Sequence, residues 1–95
     1  MNLAKANKGR PSASPIPPKL FKIGEVMRYT GLSRQTIHNY TVFGLIGEAE
    51  RTDSGHRLYG EEVFERLRRI GELKGQMTLL EIRRLLQREE ETRAS

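Results

Sequence analysis

The chain has 95 residues, 36% of them hydrophobic, no cysteine, and 17 basic against 12 acidic side chains for a net charge of +5. That length supports one small domain burying about 60 to 65% of its unfolded surface, and the absence of cysteine excludes disulfides and thiolate metal sites. No apolar run approaches the roughly 20 residues of a membrane span, and no secretory core opens the chain, so a cytoplasmic protein with no membrane partner is expected.

Residues 1–20, MNLAKANKGRPSASPIPPKL, hold all four prolines and the cations Lys5, Lys8, Arg10 and Lys19 with no acid. Without a period of 2 or 3.6 they are expected to form a disordered, basic, Pro/Ser-rich arm. Lys8-Gly9-Arg10-Pro11 has the core of a minor-groove hook but lacks its basic flanks, so the arm is expected only to add nonspecific attraction to phosphate.

From Phe21 the pattern changes. Ile23, Val26 and Met27 recur at helical spacing, and Gly31 can take the left-handed conformation that ends a helix. Ser33 is a candidate N-cap for a second helix, with Leu32 and Ile37 as its hydrophobic staple. That helix is expected to run to about Val42 and stop near Gly44. Two short helices joined through TGLS make a helix-turn-helix candidate.

Residues 48–59, EAERTDSGHRLY, carry a turn signal at Asp53, Ser54 and Gly55 between segments that can pair as a two-stranded ribbon. Leu58 and Tyr59 are expected to anchor it, since an isolated hairpin is marginal in water. Glu61 and Glu62 suit the positive end of a third helix, whose buried stripe is Val63, Phe64, Leu67 and Ile70 and whose end falls near Lys74 and Gly75. Thr78 and Glu81 spell a capping box and Met77 with Ile82 a staple, starting a fourth helix with an apolar face of Leu79, Ile82, Leu85 and Leu86. Beyond it QREEETRAS is almost wholly polar, so residues 89–95 are expected to fray.

Catalysis finds no support. The two histidines, His38 and His56, lie on different predicted elements, and neither has an acid at a spacing suited to a triad or a metal pair. The glutamate groups fall at helix ends, where dipole compensation explains them. No enzyme activity, cofactor or metal is expected. The second helix is the better candidate: with Ile37 and Tyr40 inward, Arg34, Gln35 and His38 point out, with Asn39 and Thr41 expected beside them. These residue types bond phosphates and base edges.

The pieces FKIGEV, TGLS, TIHNY, FGLI, RTDSGHRLYGEE and LLEIRRLL, in this order from Phe21 to Leu86, resemble the DNA-binding domain of the MerR family of bacterial transcription regulators. The resemblance implies a mainly α fold, a winged helix-turn-helix with four helices and a two-stranded β-hairpin wing, over residues 21–88. It implies that Arg34, Gln35 and His38 face the major groove, that Asn39 and Tyr40 lie beside the backbone, and that Arg51, His56 and Arg57 make the wing contacts. Tyr59 is expected to pack the wing on the third helix.

Some positions depart from the family pattern: His38 stands where arginine is usual, Thr41 where glutamate is, and His56 where the wing usually has tyrosine. Family regulators also continue into a long dimerisation helix and a sensor domain, which this sequence does not include. A short member is therefore expected, monomeric in solution, assembling cooperatively on double-stranded DNA or meeting RNA polymerase or another regulator. The alternatives are an excisionase-like architectural DNA-binding factor and a protein-interaction adaptor using Arg83, Arg84 and Arg88.

Overall fold

The structure, a computed structural model, describes residues 19–94, so the arm expected over residues 1–20 lies, up to residue 18, outside the described residues. In chain order the elements are β1 (Phe21–Lys22), α1 (Ile23–Thr30), α2 (Arg34–Phe43), β2 (Glu50–Arg51), β3 (Arg57–Tyr59), α3 (Glu62–Leu73) and α4 (Leu79–Ala94).

Local chemistry sets the helix-turn-helix. The Lys22 N–H donates to the Glu25 carboxylate at 2.9 Å and closes the start of α1. At its end Gly31 adopts φ 76° and returns its N–H to the Met27 carbonyl at 2.9 Å, and Gly44 ends α2 the same way at φ 86°. A side chain at either glycine would add roughly 1–2 kcal/mol of backbone strain. Ser33 caps α2 as expected, its hydroxyl accepting the Thr36 N–H at 3.1 Å.

The core lies where the helices meet the small sheet. Val26 from α1, Ile37 and Tyr40 from α2, Leu45 and Ile46 from the following turn, and Tyr59 from β3 are buried with Val63, Leu67 and Ile70 of α3 and Ile82 and Leu86 of α4. Arg66 of α3 pins the turn after α2 by donating to the Leu45 carbonyl at 2.8 Å. A backbone group left without a partner there would cost about 1–3 kcal/mol.

The sheet and the fourth helix differ from the expectation. The ribbon β2–β3 gains a third strand, for the sheet order is β1-β3-β2, with Phe21 opposite Tyr59 and Lys22 opposite Leu58. A two-residue strand carries no readable alternation, but Phe21 is fixed there by edge-on contact with Phe64, ring centres 4.9 Å apart. Tyr59 is fully buried, and its hydroxyl lies 2.9 Å from Thr41 Oγ1, tying the wing to α2.

The fourth helix begins as its capping box requires: Thr78 N–H to Glu81 Oε1 at 2.9 Å and Glu81 N–H to Thr78 Oγ1 at 3.1 Å. On its expected apolar face Ile82 and Leu86 are buried, whereas Leu79 is 37% exposed. The helix also continues to Ala94 rather than giving way at residue 89. Its extra turns are braced from α3: Arg69 forks onto Glu89 at 2.9 and 2.8 Å, and Arg66 pairs with Glu90.

Candidate nucleic-acid interface

The outer face of α2, the start of α1 and the wing converge on one open cleft of about 1000 Å³. Ser33 sets the register of α2 by starting it at Arg34, so that Ile37 and Tyr40 enter the core while Arg34, Gln35 and His38 remain exposed. The wing turn brings up the opposite wall, its tip ordered by the His56 N–H donating to Thr52 Oγ1 at 3.0 Å and by Ser54 Oγ lying 3.1 Å from His56 Nδ1.

Of the residues singled out from sequence, Arg34, Gln35, His38, His56 and Arg57 line this cleft together; Asn39, Tyr40 and Arg51 are outside its lining. Asn39 is exposed on α2, where its Oδ1 accepts from Gln35 Nε2 at 2.8 Å. Tyr40 is a core residue, 6% exposed. Arg51 is turned to Glu48. Thr41, expected outside, is turned inward: its hydroxyl donates to the Ile37 carbonyl at 2.8 Å and meets Tyr59.

The cleft also contains Lys22 and Arg28, which sequence reasoning missed. The signal for Arg28 was present in α1: with Val26 and Met27 turned to the core, residues 24 and 28 occupy the opposite, polar side of the helix. Only the third strand shows that Lys22 stands at the same opening. The lining thus holds the cations Lys22, Arg28, Arg34 and Arg57 against the single carboxylate Glu25. That carboxyl is held below its ordinary range by the Lys22 backbone N–H first, with Lys19, Lys22 and Arg28 adding to the effect.

At the base of the wing Arg57 is not an extended, solvated cation. Its Nε donates to Glu48 Oε1 at 2.7 Å and its Nη1 to His38 Nδ1 at 3.3 Å. The Glu48 carboxyl is held below its ordinary range by Arg51 first and then Arg57. Such a cleft can take an anionic polymer along its cations while presenting amide and imidazole groups between them. Among the described residues no group of three or more acidic or histidine side chains could hold a metal ion, and no helix is long and apolar enough to cross a membrane.

Fold and cleft together define a class: a winged helix-turn-helix domain with a basic, hydrogen-bonding cleft between its second helix and its wing. Within that class, residues 21–89 match the model of the MerR HTH family regulatory proteins. The chain belongs to this family. It is 40% identical over 67 residues to the nodulation protein NolA of Bradyrhizobium sp. (strain NC92), covering 70% of this chain and 28% of that protein. It is 42% identical over 69 residues to the mercuric resistance operon regulatory protein of Bacillus cereus, covering 70% of this chain and 51% of the relative.

Among solved structures, the N-terminus of the Bacillus subtilis multidrug transporter activator MtaN superposes with a TM-score of 0.65 at 33% identity, covering 70% of this chain and 63% of that one. HiNmlR, a MerR family regulator lacking the sensor domain and bound to promoter DNA, superposes with a TM-score of 0.63 at 24% identity, covering 70% of this chain and 54% of that one. That second likeness is one of fold. The chain spans about a quarter of the length of the first of these two curated relatives and about half of the second.

Proposed function

We propose that this protein is a sequence-specific double-stranded DNA-binding transcription regulator, without catalytic activity, working in the cytoplasm. The observation that carries this reading is the convergence in one cleft of the polar face of α2, the wing and four cations against one carboxylate. In this reading Arg34, Gln35 and His38 enter the major groove, Asn39 and Tyr40 lie beside the backbone, and Arg51, His56 and Arg57 serve the wing. Lys22 and Arg28 join as phosphate contacts. Double-stranded DNA is the primary partner, with RNA polymerase or another regulator as a second, and a monomer in solution would assemble cooperatively on its site.

The adaptor reading draws on the arginines of α4 and is weakened by Arg83. Its guanidinium packs 4.8 Å from the Phe43 ring centre and its Nη1 donates to the Phe43 carbonyl at 3.0 Å, so it is spent within the fold.

The deciding experiment is titration against a randomised duplex pool at two salt concentrations, followed by sequencing of the bound fraction. A sequence reader gives salt-dependent affinity and an enriched motif, and Gln35→Ala shifts that motif at one position by about 1–3 kcal/mol of discrimination. Salt-dependent binding with no enriched motif would favour an excisionase-like architectural role. No salt-dependent binding would favour the adaptor.

A further inference from the structure

Arg51 and Arg57 stand directly opposite each other across β2 and β3. Like charges in that register destabilise a ribbon unless something neutralises them. Glu48, in the turn before β2, does so with both carboxylate oxygens: Oε2 accepts from Arg51 Nε and Oε1 from Arg57 Nε at 2.7 Å. Glu48 does not line the basic cleft. It lines a different depression, with Glu62, Arg66 and Arg69.

Arg57 is consequently held at Nε by a residue outside the cleft while its Nη1 reaches His38 Nδ1 at 3.3 Å inside it. A guanidinium has only donors, so Nδ1 is the acceptor of this bond and the proton of the neutral imidazole sits on Nε2. The group that exposed His38 offers beyond the protein is then Nε2–H, a single donor of fixed direction.

We propose that Glu48 is a positioning residue for base reading, which through Arg57 fixes the His38 ring so that Nε2–H is presented to an acceptor on a base edge. The matching acceptors in the major groove are purine N7, guanine O6 and thymine O4. The same carboxylate withholds part of the positive charge of the wing from phosphate, so Glu48 favours discrimination over nonspecific attraction. This inference rests on the DNA-reading function proposed above, and it makes Arg57 a link between wing and recognition helix as well as a cation.

The test compares wild type, E48A, E48Q, H38A and the E48A/H38A double variant on the randomised duplex pool, with circular dichroism melts to report folding. E48A is expected to bind the unselected pool about threefold more tightly, because a negative charge has left the wing. Its discrimination at the base pair that H38A also ceases to read should fall about fivefold, the worth of one hydrogen bond. The double variant should discriminate there no less than H38A alone. E48Q, which keeps an acceptor oxygen without the charge, should show the tighter pool binding and retain part of the preference.

A brace for the wing and nothing more would weaken all duplexes alike and leave the preference intact; that result, or an unchanged preference, overturns the proposal. Nitrogen NMR of the protein without DNA gives a second readout. The wild-type His38 Nδ1 should report an unprotonated acceptor and move towards the free-imidazole position in E48A, whereas a proton on Nδ1 in the wild type overturns the proposal. A wild-type pool with no enriched sequence overturns the sequence-reading function, and this inference with it. An enriched wild-type pool with an unmoved E48A preference overturns this inference alone.

Discussion

Thr41 and Tyr59 show how one hydroxyl pair joins the recognition helix to the wing. Thr41 has a single hydroxyl hydrogen, and it is directed to the Ile37 carbonyl at 2.8 Å. In the 2.9 Å contact with Tyr59 the tyrosine must therefore be the donor. The two partners are not equivalent on removal. Tyr59→Phe deletes a donor and leaves Thr41 still bonded to Ile37, at about 1 kcal/mol, whereas Thr41→Val strands the O–H of a fully buried tyrosine, at about 1–3 kcal/mol. Urea unfolding should rank Thr41→Val as the more damaging, with the double variant costing less than the sum of the singles. Equal, additive losses would show that the pair is not coupled. The inward position of Thr41 was legible, because it lies four residues after Ile37 and so on the same helical face. Polarity alone favours an outward Thr41, but the helical period and its bonds to Ile37 and Tyr59 turn it inward.

At the scale of elements, what the sequence disclosed was whatever is carried by neighbours in the chain. The caps at Ser33 and Thr78 and the stop at Gly31 are all encoded within four residues, and each stands where the local pattern puts it. The short strand β1 depends on pairing with β3, and the last turns of α4 depend on cations of α3 that lie 20 and 24 residues back in the chain. No local pattern could reveal either. In the candidate interface the same division holds: Arg34, Gln35 and His38 follow from the period of α2, while Lys22 joins them only through the sheet.

The bracing of α4 has a pH signature. The Glu89 carboxyl is held below its ordinary value of 4.5 by its hydrogen bond to Arg69 first, with Arg69, Arg93 and Arg66 adding through charge. A depressed folded-state value means that this contribution is present above the unfolded value and is lost as pH falls through the folded one. Helicity of the last turns should therefore hold from neutral pH down to about pH 4.5 and decline below it. Arg69→Ala should speed amide exchange in residues 88–93 at neutral pH and shrink the acid-induced change, while Ser33→Ala, which removes only the cap of α2, leaves that segment unaffected.

For the whole molecule, net charge matters less than where the charge stands. Basic and acidic side chains balance from residue 61 onward, and residues 21–60 carry five basic against four acidic, yet the fold brings Lys22, Arg28, Arg34 and Arg57 from four places in the sequence to one opening. If that opening tracks a DNA backbone, each phosphate contact releases condensed counterion and contributes about 0.9 to the salt slope. Lys22→Ala and Arg28→Ala should each lower the slope by about that amount and weaken all duplexes alike, since a phosphate contact carries no base information. Arg88→Ala, an exposed cation of α4 outside the cleft, is the control and should leave the slope unchanged. An equal loss from all three substitutions would mean that diffuse net charge and not the cleft governs binding, because only a localised contact distinguishes cations that contribute equally to the total.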